Sequence, residues 1–293
     1  MRIVAGCNVF LEHILHYSQR EEKGRMDIPP QVHLGGGAYN IIKSFETFGV
    51  PKKNLSLLAS TSIDESSHRL ATGLLLQKEK FSKTLFPVRP RASTSYYLLP
   101  SEGKTWAFGD TGGEFRSIHK SIEGVVLSEG RKADIKIFAE LSRDSEEIEV
   151  ASMFLKKYKK GQISVLIPSR KILSSPLLNK ILPLCDFFAL NEEEAKIFWG
   201  KNPRKADLLN LKVPSFLLTR GPKEAWLKVE NKIYTASPKV IKNPKFVGGA
   251  GDATVAAVVY KLFVQKKSPK EALQFGMSVG RRTLLTPKSY FVN

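Results

Sequence analysis

The sequence predicts an α/β fold in which helices cover both faces of a parallel sheet, and three observations support this. Short apolar runs of strand length alternate with helical stretches along most of the chain, which is the pattern of βαβ units. The 293 residues and 42% hydrophobic content suffice for one large domain with a sizeable core. Two glycine-rich turns stand directly before helices, where small residues let backbone N–H groups approach an anion.

The predicted elements follow in chain order. A strand is expected over residues 2–10, then a helix over 38–48 that ends before Gly49 and Pro51. A strand over 55–60 and a helix over 64–77 come next. Further along, we expect strands over 135–139, 163–167, 187–190 and 216–219, and helices over 145–158, 176–182, 192–199 and 253–264.

Two regions interrupt this alternation. Residues 13–33 are polar and charged and contain a Pro29-Pro30 turn, whereas residues 93–99 and 104–108 alternate around Glu102-Gly103. The second pattern is typical of a β-hairpin. We interpret both regions as additions to the main sheet, and by themselves they are consistent with surface decoration.

The stretch Gly249-Ala250-Gly251-Asp252 opens the apolar run at 253–264. A helix N-terminus favours negative charge, so these small residues can bring N–H donors close to a phosphate. Asp252 adds a carboxylate in the same turn, and the helix dipole is expected to lower its pKa. Donors beside a carboxylate can hold a transferring phosphoryl group and take the proton of a hydroxyl. The alternative is a plain glycine-rich loop with a helix-capping aspartate.

Composition argues against several other classes of protein. No run of 18 apolar residues is present, so no membrane span is expected. The net charge of +18 is spread along the chain and not interleaved with aromatics, which favours a solvated surface over a nucleic-acid interface. Cys7 and Cys185 show no pairing pattern and are expected to be thiols in a reducing cytoplasm. Neither a P-loop motif nor a histidine metal motif appears.

Four short segments stand in a fixed order along the chain: Gly35-Gly36-Gly37-Ala38-Tyr39-Asn40 followed by Gly49, Leu190-Asn191-Glu192-Glu193-Glu194-Ala195, Leu217-Leu218-Thr219-Arg220-Gly221, and Gly249-Ala250-Gly251-Asp252. They resemble, in turn, the first signature, the Asn-x-x-Glu motif, the Thr-x-Gly segment and the core of the second signature of the ribokinase-like (PfkB) carbohydrate kinases. Each motif is weak by itself, but their order and spacing fit this family over nearly the whole chain.

The resemblance implies a ribokinase-like three-layer parallel-sheet domain over residues 1–293, with lid segments inserted at about 12–33 and 90–109. It implies ATP-dependent phosphoryl transfer to a hydroxyl of a sugar or sugar derivative, with ATP and Mg²⁺ as cofactors. A nucleoside kinase and a catalytically degenerate relative with a binding role are the alternatives. The expected partner is a small-molecule acceptor in the cytoplasm, with no membrane and no nucleic acid, and a homodimer is left open.

The resemblance also implies roles for individual residues. Asp252 is the general base, beside an anion hole made by Gly249, Ala250 and Gly251. Toward the nucleotide lie Asn191, Thr219 and Gly221. Glu194 is the expected Mg²⁺ residue, acting through water with Asn191, although a glutamate in a helix's first turn also complements the dipole. The acceptor is expected to contact Glu12, Gly36, Gly37 and Asn40.

Three departures from the family pattern surround these residues. Phe246-Val247 stand where an Asp or Asn followed by Thr is usual, so activation by a monovalent cation is in doubt. Ile167 replaces a polar residue before Pro168, and Glu12 matches the family's first-strand Asp only loosely. These departures keep the degenerate alternative open.

Overall fold

The computed structural model describes residues 1–292 except 18–30, 63–65, 90–92, 101–105, 112–119, 142, 243, 245, 247 and 287. Its strands are β1 (Ile3–Asn8), β2 (Phe10–Tyr17), β3 (Gln31–Gly35), β4 (Leu55–Ser62), β5 (Ser82–Arg89), β6 (Ser93–Pro100), β7 (Trp106–Thr111), β8 (Ile135–Leu141), β9 (Ile163–Pro168), β10 (Phe187–Asn191), β11 (Ser215–Thr219), β12 (Ala225–Val229) and β13 (Lys232–Ala236). Its helices are α1 (Gly37–Thr47), α2 (Ser66–Gln77), α3 (Lys120–Lys132), α4 (Ser145–Leu155), α5 (Leu178–Ile181), α6 (Glu192–Trp199), α7 (Lys205–Leu209), α8 (Ala250–Val259) and α9 (Pro269–Thr283).

The main sheet has nine strands in the order β13-β12-β11-β10-β9-β8-β1-β4-β5. Pairs from β5 to β11 are parallel, which confirms the predicted parallel sheet. The strands β12 and β13 add an antiparallel hairpin at one edge that the alternation did not predict.

No helix among the described residues is long and apolar enough to cross a membrane.

Strand order reverses at β1, because the chain continues to β4 and β5 on one side and to β8 through β11 on the other. At such a reversal the loops that leave neighbouring strands diverge and open a crevice at the carboxyl edge, where ligands bind in open α/β sheets. The helices α1 and α8, which carry the candidate residues, pack against each other beside this point.

Two apolar clusters lie on opposite faces of the main sheet. One contains buried residues of α1, α8 and α9, including Ile41, Phe45 and Val258. The other contains residues of α4, α5 and α6, including Phe154. This three-layer arrangement confirms the predicted fold class.

A second, small sheet has the order β3-β2-β6-β7. It forms because the chain turns at Val9, so the strand predicted over residues 2–10 is two strands that belong to different sheets. The predicted additions at residues 13–33 and 93–108 contribute β2, β3, β6 and β7 to this sheet, with 18–30 and 101–105 outside the described residues. Cys185 is a free buried thiol.

Candidate active site

The helix α8 begins at the glycine-rich turn. Gly249 caps it with a φ of 72°, a left-handed conformation that glycine adopts without strain. A side chain at Gly249 would overlap the carbonyl of Ser289, whereas one at Gly251 would meet nothing within 4 Å. The backbone at Gly249 is therefore packed against the C-terminal segment, and the side of the turn at Gly251 is open.

A chain of hydrogen bonds orients Asp252. The Nδ2 of Asn40 donates to Oδ2 of Asp252 at 2.9 Å, and the Ser289 hydroxyl donates to Oδ1 of Asn40 at 2.9 Å. Asn40 is 3% exposed, and the three residues come from α1, α8 and the C-terminal segment. Because the amide has a donor on one side and an acceptor on the other, this pairing fixes how Asn40 presents its N–H to the carboxylate.

The predicted lowering of the Asp252 pKa is wrong in direction. Burial raises the pKa of Asp252 to about 6, and the hydrogen bond from Asn40 offsets only part of that rise. Desolvation is thus the largest influence on the pKa of this carboxyl group. The carboxylate is still mostly ionised at neutral pH, and a pKa close to the working pH suits a general base.

The glycines 35–37 form the turn that leads from β3 into α1. Gly36 has a φ of 90° and occupies the N-cap position. A side chain at Gly35 would overlap the Glu12 carboxyl group, and a Cβ at Gly37 would lie 3.4 Å from Oδ1 of Asp252 and 3.4 Å from Cγ of Glu140. The absence of side chains thus lets Glu12, Glu140 and Asp252 gather around one turn.

Glu12 lies on β2 and is 3% exposed. Burial raises its pKa to about 7, the charge of Asp252 adds to the rise, and hydrogen bonds with Ser289 and the Gly36 N–H oppose it. The Ser289 hydroxyl thus lies within hydrogen-bonding reach of both Glu12 and Asn40 and donates to Oδ1 of Asn40.

The small sheet contacts the site through Tyr97 of β6, which packs against Phe246 in the loop before α8. The Tyr97 and Phe246 rings meet edge to face with centroids 4.7 Å apart, and buried Ile14 of β2 completes this apolar cluster. Burial and the charges of Glu12, Glu140 and Asp252 all raise the pKa of the Tyr97 phenol. Phe246 stands at a position that is usually polar in the family the sequence resembles, and here it packs the loop before α8 against the small sheet. Val247 lies outside the described residues.

A cleft of about 460 Å³ opens on the other side of the α8 turn. Thr219 and Gly221 line it together with Ala250 and Gly251. Thr219 ends β11 and pairs with Asn191 at the end of β10, so the two sequence motifs meet at the carboxyl edge of the sheet. The open face of the turn at Gly251 looks into this cleft.

Asn191 and Glu194 cap the helix α6. The Asn191 side chain accepts from the Glu194 N–H at 2.9 Å, and Oε2 of Glu194 accepts from the Asn191 N–H at 2.8 Å. Burial raises the pKa of Glu194, while Arg170 lowers it and Asp252 raises it further. Both side chains are therefore engaged in the helix cap, and the charge of Asp252 acts on the Glu194 carboxyl group.

The described residues bring together Glu12, Gly36, Gly37, Asn40 and Asp252 on one side of the α8 turn and Thr219 and Gly221 on the other. No group of three acidic, histidine or cysteine side chains suited to a metal is found among them. The sequence interpretation missed Ser289, Tyr97 and Glu140. None stands in a motif, although the φ of 62° at Glu140 marks a strained position at the end of β8.

Part of the sequence and nearly the whole fold are similar to known proteins. A family model described as pfkB family carbohydrate kinase matches residues 141–291. That range includes Asn191, Thr219 and Asp252 but not Asn40. No curated protein sequence matches the chain.

Solved structures share the fold over nearly the full length. Phosphofructokinase-2 from Escherichia coli in complex with potassium is 16% identical, with a TM-score of 0.77 over 99% of this chain and 94% of that one. Arabidopsis thaliana ribokinase complexed with ribose and ATP is 18% identical, with a TM-score of 0.74 over 98% and 93%. Adenosine kinase from Sinorhizobium meliloti is 13% identical, with a TM-score of 0.75 over 99% and 95%.

Proposed function

The chain belongs to the pfkB family of carbohydrate kinases, and from that premise we propose that its Asp252 site transfers the γ-phosphoryl group of ATP to a hydroxyl of a sugar or sugar derivative. Family membership makes the protein a sugar kinase, a phosphotransferase with an alcohol group as acceptor. The main support for these roles is the series of hydrogen bonds from Ser289 through Asn40 to Asp252, which holds the carboxylate beside the Gly249 turn.

In this proposal Asp252 accepts the proton of the acceptor hydroxyl as the oxygen attacks phosphorus. Asn40 holds the carboxylate by one oxygen, which leaves Oδ1 for the hydroxyl. The backbone N–H groups of Gly249, Ala250 and Gly251 stabilise the charge on the transferring group. Their position at the start of α8 adds the favourable end of the helix dipole.

Acceptor binding is proposed for the pocket between the glycine turn and the small sheet. Gly36 and Gly37 let the acceptor approach the backbone, and Glu12 and Glu140 supply oxygens for its hydroxyl groups. The small sheet serves as the lid, since its Tyr97 reaches the Phe246 loop and excludes water, which competes with the acceptor for the phosphoryl group.

The cleft beside Thr219 and Gly221 is proposed to bind ATP, because the open face of Gly251 connects it to the anion hole. Mg²⁺ would neutralise phosphate charge there. The residues fit such an ion only through water: Glu194 uses Oε2 in the helix cap, so Oε1 remains to hold a metal-bound water. The chain is proposed to act in the cytoplasm on a small molecule.

One fold relative is an adenosine kinase, so nucleosides belong in the acceptor panel beside sugars. Another was crystallised with potassium. In this chain Phe246 faces the small sheet with no polar atom on its ring, and we propose that turnover does not require a monovalent cation.

The test is ADP release from ATP and Mg²⁺ with a panel of sugars, sugar phosphates, sugar acids and nucleosides. Asp252→Asn is the matched control, since it keeps the shape of the side chain and removes the base. An acceptor that the natural protein turns over and the variant does not supports the proposal. A panel in which no acceptor yields ADP supports the degenerate alternative.

A further inference from the structure

A second cavity adjoins the C-terminal segment that packs against the α8 turn. It has a volume of about 320 Å³ and is bounded by β3, the end of α2, α1 and this segment. We name it the Lys288 cavity; its polar lining comprises His33, Tyr39, Lys78, Glu79, Lys288 and Tyr290. None of the residues assigned to phosphoryl transfer lines it, and its volume is within the usual range for small-molecule sites.

The charges in this cavity are unbalanced. Glu79 is fully engaged, because Oε1 accepts from the Tyr39 hydroxyl at 2.7 Å and Oε2 accepts from Lys43 at 3.0 Å. In the described part of the chain, neither Lys78 nor Lys288 has an ion pair with a carboxylate. Two lysines without a carboxylate partner among the described residues therefore line the cavity, while its one carboxylate is paired with a third lysine, Lys43.

The surroundings strengthen the attraction for an anion. Lys288 lies over the Tyr290 ring at 5.6 Å, and its Nζ is 3.4 Å from the Tyr290 hydroxyl. Its charge, together with burial, lowers the pKa of His33. The remaining walls, including Leu34 and Leu75, are apolar and reduce the screening of the charges by water. The matching ligand has an anionic group and a small body.

The cavity is joined to the active site by the chain itself. Lys288 and Tyr290 flank Ser289, which donates to Asn40 and whose carbonyl packs under Gly249. Beyond them, Phe291 is hydrogen-bonded to Thr47 of α1 at 3.0 Å. An anion held by both Lys288 and Lys78 would tie this segment to α2.

We propose that the Lys288 cavity binds a small anion that carries a phosphate or carboxylate group, and that binding orders residues 288–291. The inference does not depend on turnover, because the residues that would bind the anion lie outside the proposed phosphoryl-transfer site. Its functional consequence is that the support of Asn40 by Ser289 responds to an anion bound elsewhere.

The experiment is hydrogen exchange, read by peptide, on the full chain in inorganic phosphate, in citrate, and in sodium chloride of equal ionic strength. We expect saturable protection of residues 75–79 and 288–291 in one or both of the first two. Protection by phosphate alone or by citrate alone identifies the preferred anionic group, and protection by both shows that the cavity accepts either.

The double variant Lys78→Gln with Lys288→Gln should weaken this response by about tenfold or more. Lys212→Gln, on an exposed lysine away from the cavity, should respond like the natural chain. Thermal unfolding controls for loss of the fold. The proposal is overturned if neither anion protects these residues, if chloride protects them equally, if the double variant responds unchanged, or if protection is confined to residues 249–252, where phosphate would occupy the anion hole.

Discussion

The two sides of the α8 turn are built differently. On the acceptor side, Asn40, Asp252, Ser289 and Glu12 are joined by hydrogen bonds between distant parts of the chain and are largely buried. On the nucleotide side, Thr219, Gly221 and Gly251 line an open cleft. The difference indicates that the acceptor side is preorganised by tertiary contacts, whereas the nucleotide side offers backbone and space.

Asp252→Asn tests the acceptor side most directly. The amide keeps the shape but cannot accept the hydroxyl proton as a base, so we expect kcat to fall by about 10²–10⁴-fold. Steady-state kinetics on the best acceptor measures this, and circular dichroism checks that the fold is kept. Near-normal turnover in the variant would remove Asp252 from the role of base.

Two glycine substitutions separate the sides of the turn. Gly251→Val should preserve the melting temperature, because its side chain enters open space, yet lower kcat by about 10²-fold by displacing the phosphate. Gly249→Ala should instead lower the melting temperature, since its Cβ would overlap the Ser289 carbonyl and its φ is positive. The opposite pattern would mean that the phosphate does not approach Gly251.

The pH dependence of catalysis tests the acceptor side further. With an Asp252 pKa of about 6 in the free protein, kcat/KM should fall about tenfold per pH unit below that value, as the base becomes protonated. Asn40→Ala removes the hydrogen bond that stabilises the carboxylate, so the kinetic pKa should rise. A profile that is flat down to about pH 5 would contradict the role of Asp252 as base. A kinetic pKa that does not change in Asn40→Ala would contradict the role of Asn40 in stabilising the carboxylate.

Glu12→Gln tests the cost of burying a carboxyl group. The folded-state pKa of about 7 exceeds the ordinary value of 4.5, so the folded protein loses stability as pH rises through this window. The uncharged amide should therefore raise the melting temperature at about pH 8, by about 2–4 °C per kcal/mol. Little change is expected at about pH 5, where Glu12 is already protonated. An equal change at both pH values would point to packing instead.

The smallest expected effect concerns monovalent cations. Phe246 offers an apolar ring against Ile14 and Tyr97, so replacing Na⁺ by K⁺ at fixed ionic strength should change kcat by less than about twofold, well under 1 kcal/mol. Phe246→Leu, which keeps an apolar contact, is the matched control. A large increase in rate with K⁺ would show that other atoms form a cation site.

Local signals in the sequence were enough to predict the parallel sheet, most of its strands and the glycine turns before α1 and α8. They succeed because strand alternation, positive φ and helix starts depend on a few neighbouring residues. The same signals placed Asn191 and Glu194 together, and local geometry accounts for them as a helix cap.

Only the tertiary structure decided which of these residues meet. Asn40 and Asp252 are 212 positions apart and Asn40 and Ser289 are 249 apart, so no spacing rule could join them. The pKa of Asp252 is the clearest case, because the helix start predicted a lowering and burial among distant residues produced a rise. Sequence determines which groups are available, and packing determines how far each is removed from water and what it faces.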